Sequence, residues 1–216
     1  MLNWDPTTHY KDRAVAERYD RERFTSPAGR AFNRLEKFCL RRACRDVPRA
    51  ARFVDVPCGT GRLAQVLLDE GFQVTGVDIS AAMLDVAKRK LSAYGDRFQT
   101  KVANVADLAE AEPKQFDVAL CARVLMHFPL AEQIAFLRSV ARLARTQVIF
   151  NQSLSSPYHR FRRRLKQLIG NQPPAAFPIT EKELASLLAG ARLREVRRVR
   201  PLPLVSEAIY VIAEPF

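Results

Sequence analysis

The chain has no apolar run near the roughly 20 residues that a membrane span requires. Its start, Met1-Leu2-Asn3-Trp4-Asp5, lacks the basic and apolar regions of a signal peptide. Together these absences point to a soluble, cytoplasmic protein. Cysteine is sparse. Cys39, Cys44, Cys58 and Cys121 form no metal-type pair of pairs, so no metal site is expected. Two of them end candidate buried strands, which suits reduced packing thiols better than disulfides. Internal repeats and low-complexity stretches are also missing, which argues against a solenoid. What is present is globular: 216 residues, 48% hydrophobic and 27% charged, enough for one well-filled core. Acidic residues are the minority, 23 against 35 basic ones, for a formal charge of +12. Such a charge favours an anionic partner, whether nucleic acid, a phospholipid surface or an acidic small molecule. It also describes many basic soluble chains without one, because net charge speaks to association and not to fold.

Beyond about residue 50 strand-like and helix-like segments alternate, the pattern of a parallel sheet flanked by helices. Strands are expected at Arg52 to Pro57, Gln73 to Val77, Phe98 to Ala103, Phe116 to Cys121 and Val148 to Asn151. Helices are expected at Arg62 to Glu70, at Ala81 to Tyr94 after the cap Ser80, and at Pro129 to Arg145, where Leu130, Ile134, Leu137 and Ala141 form a stripe. Thr180 with Glu183 makes a capping box for a helix ending at Gly190. The last two strands, Glu195 to Val199 and Ala208 to Ala213, are joined by too short a segment for a crossover helix and should be antiparallel. The expected fold is α/β: a Rossmann-like, seven-stranded, mostly parallel sheet with an antiparallel C-terminal hairpin and helices on both faces. Residues 1–50 form a helical cap, with Arg30 to Cys44 its best helix. It serves either as an added layer on the sheet or as a lid over the crevice at the strands' carboxyl ends.

Gly59-Thr60-Gly61 lies between the first strand and its helix, where glycines let backbone turn tightly and approach a ligand. Alone this pattern also fits a nicotinamide-binding loop. Asp55, at the end of the first strand, separates the two. A carboxylate is unfavourable beside a pyrophosphate but suits a ligand carrying ammonium and sulfonium charges. Asp78, ending the second strand, can accept hydrogen bonds from both ribose hydroxyls and serves either reading.

The run Val54-Asp55-Val56-Pro57-Cys58-Gly59-Thr60-Gly61-Arg62 resembles the glycine-rich first motif of class I S-adenosylmethionine-dependent methyltransferases. Gly76-Val77-Asp78-Ile79-Ser80 with Met83-Leu84 resembles their second-strand motif. Phe116-Asp117-Val118 with Val124-Leu125-Met126-His127-Phe128 is similar to their fourth-strand segment. The resemblance implies that residues 51–216 form an S-adenosylmethionine-binding methyltransferase domain whose product is S-adenosylhomocysteine. It implies Gly59 and Gly61 along the methionine, Asp55 near its amino group and Asp78 on the ribose. Ile79, Met83 and Asn104 would meet the adenine, Cys121 would contribute backbone under the methionine, and Pro57 and Val105 count among the cofactor-binding residues. The family usually has an acidic residue where this chain has Asn104, whose side-chain oxygen can still accept a hydrogen bond. Tyr19, in Val15-Ala16-Glu17-Arg18-Tyr19-Asp20, resembles a signature preceding many small-molecule methyltransferase domains and implies a lid residue at the cofactor's carboxylate.

In such enzymes the cofactor supplies the reactivity and the protein supplies position and desolvation, so a dedicated catalytic residue is optional. His127 is the candidate base if an acceptor hydroxyl must lose a proton. Arg123, Tyr158 and His159 are candidate acceptor contacts. Tyr158 to Gly170 reads as a helix with Phe161, Leu165, Leu168 and Ile169 on one face and Arg160 to Lys166 supplying cations for an anionic or membrane surface. An ordinary solvated helix has the same pattern. The expected function is methyl transfer to a small molecule, at oxygen, the acceptor being acidic or lipid-like. The alternatives are an RNA or protein methyltransferase, weakened by the lack of an Asn-Pro-Pro-Tyr-type motif, and a non-catalytic cofactor-binding regulatory partner.

Overall fold

A computed structural model describes residues 13–155, 177–201 and 207–216. Its strands are β1 Arg52–Asp55, β2 Gln73–Asp78, β3 Phe98–Val102, β4 Phe116–Cys121, β5 Ala144–Ser153, β6 Leu193–Val199 and β7 Ala208–Pro215. Its helices are α1 Arg13–Phe24, α2 Pro27–Ala43, α3 Arg62–Asp69, α4 Ala81–Lys90, α5 Val105–Ala111, α6 Leu130–Leu143 and α7 Glu181–Gly190. The strands form one sheet in the order β3-β2-β1-β4-β5-β7-β6. Neighbours from β3 through β5 are parallel, and β7 runs antiparallel to both β5 and β6. Strand order reverses between β1 and β4, so their carboxyl ends open the crevice where such sheets hold ligands.

Side chains alternate across the sheet with the strand period of two. Phe53, Val118, Leu120 and Ile149 pack with α2, α3 and α4 on one face. Val54, Ala119, Cys121 and Phe150 pack with α5, α6 and α7 on the other. The two N-terminal helices play different parts. Cys39, Leu40 and Ala43 of α2 are fully buried against the sheet, making this helix an integral layer. By contrast, α1 leans on α4 through the Arg89–Glu17 and Lys90–Asp20 ion pairs and contributes Tyr19 to the ligand cavity.

Several boundaries differ from the sequence expectation. The helix expected over Ala81 to Tyr94 stops at Lys90, and Ser92–Arg97 continues as a 3-10 turn containing Gly95. Helix α5 has no counterpart in that reading; it is short, so its periodicity is faint, and it starts on an Asn104 side-chain cap. Strand β5 begins at Ala144, directly after α6, and extends to Ser153. The expected terminal hairpin is antiparallel, but β7 inserts beside β5 and leaves β6 at the edge. The basic segment Tyr158 to Gly170 lies outside the described residues.

Candidate cofactor and acceptor site

Backbone hydrogen bonds pin the loop after β1 between its neighbours. Val56 N–H donates to Leu120 O at 2.9 Å and Cys58 N–H to Val77 O at 2.9 Å. The loop then reaches Gly59, whose φ of 54° lies in the left-handed region, and an added Cβ there would meet nothing within 4 Å. Asp78 closes the turn from beneath. Its Oδ2 accepts Gly59 N–H at 2.8 Å and its Oδ1 accepts Ser80 N–H at 2.9 Å. Burial raises its carboxyl above the usual carboxylate range, while the backbone donors at Ser80, Gly59 and Ile79 pull the other way.

Asp55 is more unusual. It is 2% exposed, and its Oδ2 has no hydrogen-bond partner among the described residues. Burial pushes its carboxyl up to about 8, against a Cys58 thiol hydrogen bond, the Arg62 charge and the Ala64 backbone. A buried carboxylate with a free oxygen is costly unless a donor or cation completes it.

Asp55 and Asp78 open on one cavity of about 320 Å³. Of the expected cofactor residues, Tyr19, Asp55, Pro57, Gly59, Asp78, Ile79, Met83, Asn104 and Val105 line it. Gly61 and Cys121 do not. Gly61 instead permits close helix packing, since a Cβ there would sit 2.7 Å from Leu91 Cδ1. Cys121 is fully buried among the apolar side chains on the α5–α7 face. Asn104 spends its Oδ1 on capping α5, accepting Ala106 N–H at 2.9 Å. Val56–Pro57 is a cis peptide.

The acceptor side is built from the segment after β4. Arg123, His127 and Phe128 face the cavity together with Phe136 of α6, and the two phenylalanine rings stack with centroids 6.0 Å apart. Gln133 Nε2 holds this wall by donating to Phe128 O at 2.8 Å, and its Oε1 accepts Gln152 Nε2 at 2.6 Å. Burial first, then the charges of Arg23 and Arg123, lower the pKa of His127, which hydrogen-bonds the Arg123 backbone. The other two proposed acceptor contacts, Tyr158 and His159, lie outside the described residues.

Sequence reasoning missed several residues at this site. Thr60 donates its hydroxyl to Asp20 Oδ1 at 2.8 Å, tying α1 to the glycine loop. Arg62, its side chain 9% exposed, pairs with Glu36 of α2, donates to Asn33 Oδ1 at 2.8 Å and lies 4.3 Å over the Phe24 ring. An arginine directly after a glycine loop was a visible signal. Its partner on α2 was not, since nothing local marks Glu36 as buried.

Residues 53–147 match the methyltransferase domain family. A ubiquinone biosynthesis O-methyltransferase of Nitrosospira multiformis is 35% identical over 92 residues, covering 43% of this chain and 38% of the relative. One of Stutzerimonas stutzeri is 32% identical over 108 residues, covering 49% and 46%. The chain thus matches less than half the length of these curated relatives. It superposes on the Synechocystis magnesium protoporphyrin IX methyltransferase, solved with bound S-adenosylhomocysteine, with a TM-score of 0.72 at 20% identity and 97% coverage of both chains. Residues 53–147 are thus similar to a methyltransferase domain, and the chain has the fold of the methyltransferase on which it superposes.

Proposed function

We propose that this chain binds S-adenosylmethionine and methylates a small-molecule acceptor at oxygen. The observation that carries the reading is the pairing of Asp55, with its orphaned buried oxygen, and the open left-handed Gly59 on one cavity. This site fits an amino-acid ligand: Asp55 would hold the ammonium, Gly59 would leave room for the chain above the loop, and Asp78 would hold the ribose. Ile79, Met83 and Val105 offer apolar walls for the adenine. When bound, S-adenosylmethionine supplies a methyl group made electrophilic by its sulfonium. Support for oxygen as the methylated atom comes from the two curated relatives, both named O-methyltransferases.

The protein's own part is positioning. Phe128 and Phe136 exclude water and offer a flat apolar wall. His127, held neutral by burial and by neighbouring arginines, accepts the proton of an acceptor hydroxyl. In the same reading, helix α1 acts as a lid carrying Tyr19, and the cap expected over residues 1–50 is divided, because α2 packs as a layer of the cofactor-binding domain expected over residues 51–216. Contact with an anionic surface through Arg160 to Lys166 also belongs to it, supported by the basic charge. So does a cytoplasmic location, supported by four buried free cysteines; among the described residues no helix is long and apolar enough to cross a membrane. The test is incubation with S-adenosylmethionine and a panel of phenols, catechols and carboxylic acids, read by mass spectrometry. A methylated oxygen on a small acceptor supports the proposal; methylation confined to RNA or protein contradicts it.

A further inference from the structure

Beside the cofactor loop, two buried-side arginines share one carboxylate. Arg62 claims it: its Nη2 is on Glu36 Oε2, with Asn33 and the Phe24 ring completing the site. Arg123 reaches only the other oxygen, Glu36 Oε1, at 3.8 Å, which is beyond hydrogen-bond range. Accordingly Glu36 Oε1 and Arg123 Nε are both buried without a hydrogen-bond partner among the described residues. Two guanidiniums thus face the one Glu36 carboxylate, and Arg123 is the less well paired of them, in a place where an under-paired guanidinium is unfavourable.

The backbone also commits Arg123 to this position. Its φ is 63°, a conformation that side chains other than glycine rarely adopt. Asn151 of β5 fixes it there by accepting Arg123 N–H on Oδ1 at 2.6 Å. The guanidinium then stands at the cavity wall 5.1 Å from the Phe32 ring, itself 41% exposed at the cap. A guanidinium with unused donors presents the planar fork that matches a carboxylate.

We propose that Arg123 seats a carboxylate of the methyl acceptor, so that the enzyme selects acidic acceptors over neutral ones of the same shape. This rests on the methyltransferase reading and names its substrate class. His127, hydrogen-bonded to the Arg123 backbone, places the candidate base next to that seat. The acceptor carries an acid group and a hydroxyl on one framework, as a hydroxybenzoate does.

The experiment is calorimetric titration of the S-adenosylhomocysteine-loaded protein with 3,4-dihydroxybenzoate and with catechol, which lacks the acid. Wild type should bind the benzoate at least about tenfold more tightly than catechol, the range for a hydrogen bond to a charged group. R123Q should abolish that preference while keeping its affinity for S-adenosylhomocysteine, which doubles as proof of folding. R123K, which keeps the charge but not the fork, should restore part of it. Equal affinities in wild type, no benzoate binding at millimolar concentration, or a preference that survives in R123Q would each overturn the proposal. So would an R123Q that loses S-adenosylhomocysteine affinity about tenfold while still folded, because the seat would then belong to the cofactor's own carboxylate. Failure of wild type to bind S-adenosylhomocysteine at all would be a different result, refuting the methyltransferase reading itself.

Discussion

Gly59→Ala separates a ligand-contact role from a folding role. A Cβ at residue 59 meets no protein atom within 4 Å, so the folded chain has room for it. The cost to stability is the left-handed backbone at φ 54°, about 1–2 kcal/mol for a residue with a side chain. The unfolded chain of the variant is less flexible, which returns about 0.4–1 kcal/mol. A net loss of about 1 kcal/mol remains, lowering Tm by roughly 2–4 °C for a chain of this size. Ligand binding should suffer more. The new methyl group occupies the path over the loop, and overpacking of about 2 kcal/mol corresponds to about 30-fold weaker binding. Gly71→Ala is the matched control: its φ is 94°, it too has nothing within 4 Å, and it lies between α3 and β2, off the cavity. Thermal melts and S-adenosylhomocysteine titrations of both variants make the assay. Similar Tm losses with an affinity loss only at Gly59 are expected. Wild-type affinity in Gly59→Ala, or equal losses in both variants, would refute the assignment of the loop.

Other perturbations have equally definite expectations. Because burial holds Asp55 at about 8 in the free protein, an ammonium placed beside it should expel a proton on binding. S-adenosylhomocysteine affinity should then rise as pH climbs toward 8, and titrations in buffers of different ionisation enthalpy should differ in apparent heat; identical heats would count against the pairing. Stability of the free protein should move the opposite way. Above the unfolded value of about 3.9 the unfolded chain ionises Asp55 first, so this residue's contribution falls as pH rises from about 4 to about 8. Asp20→Ala removes the bonds to Thr60 and Lys90 and should make α1 more susceptible to limited proteolysis while costing about 1 kcal/mol or less of global stability. Unchanged cleavage rates would argue that apolar packing holds α1 down. Leu40→Ala, in the fully buried face of α2, should cost about 2–5 kcal/mol in denaturant unfolding with affinity intact. A loss below 1 kcal/mol would mean that α2 is a detachable cap and not a core layer.

What could be read before the fold was known follows contact distance along the chain. Asp55, Gly59 and Asp78 sit on strand ends and one tight loop, where local pattern dictates geometry. Strands β2 and β4 are bounded by turn chemistry or apolar runs and were legible to within a residue. Helix α5 was not, because seven residues scarcely complete two turns and its boundary is set by the Asn104 cap. The place of β7 between β5 and β6 was equally hidden: a short connection dictates direction but not which edge the last strand takes. Gly61 looked like a ligand glycine, whereas the contacts it allows are to Leu91 and Ala87 of the neighbouring segment. The Glu36, Arg62 and Arg123 cluster was illegible for the same reason, since its members come from three elements brought together only by packing.

Calorimetric titration of the purified protein with S-adenosylhomocysteine, beside NADH, tests the central claim most directly. Saturable micromolar binding of S-adenosylhomocysteine with none of NADH is the expected result. Binding of NADH in its place, or of neither, would contradict the reading of Asp55 and with it the assignment of the cavity.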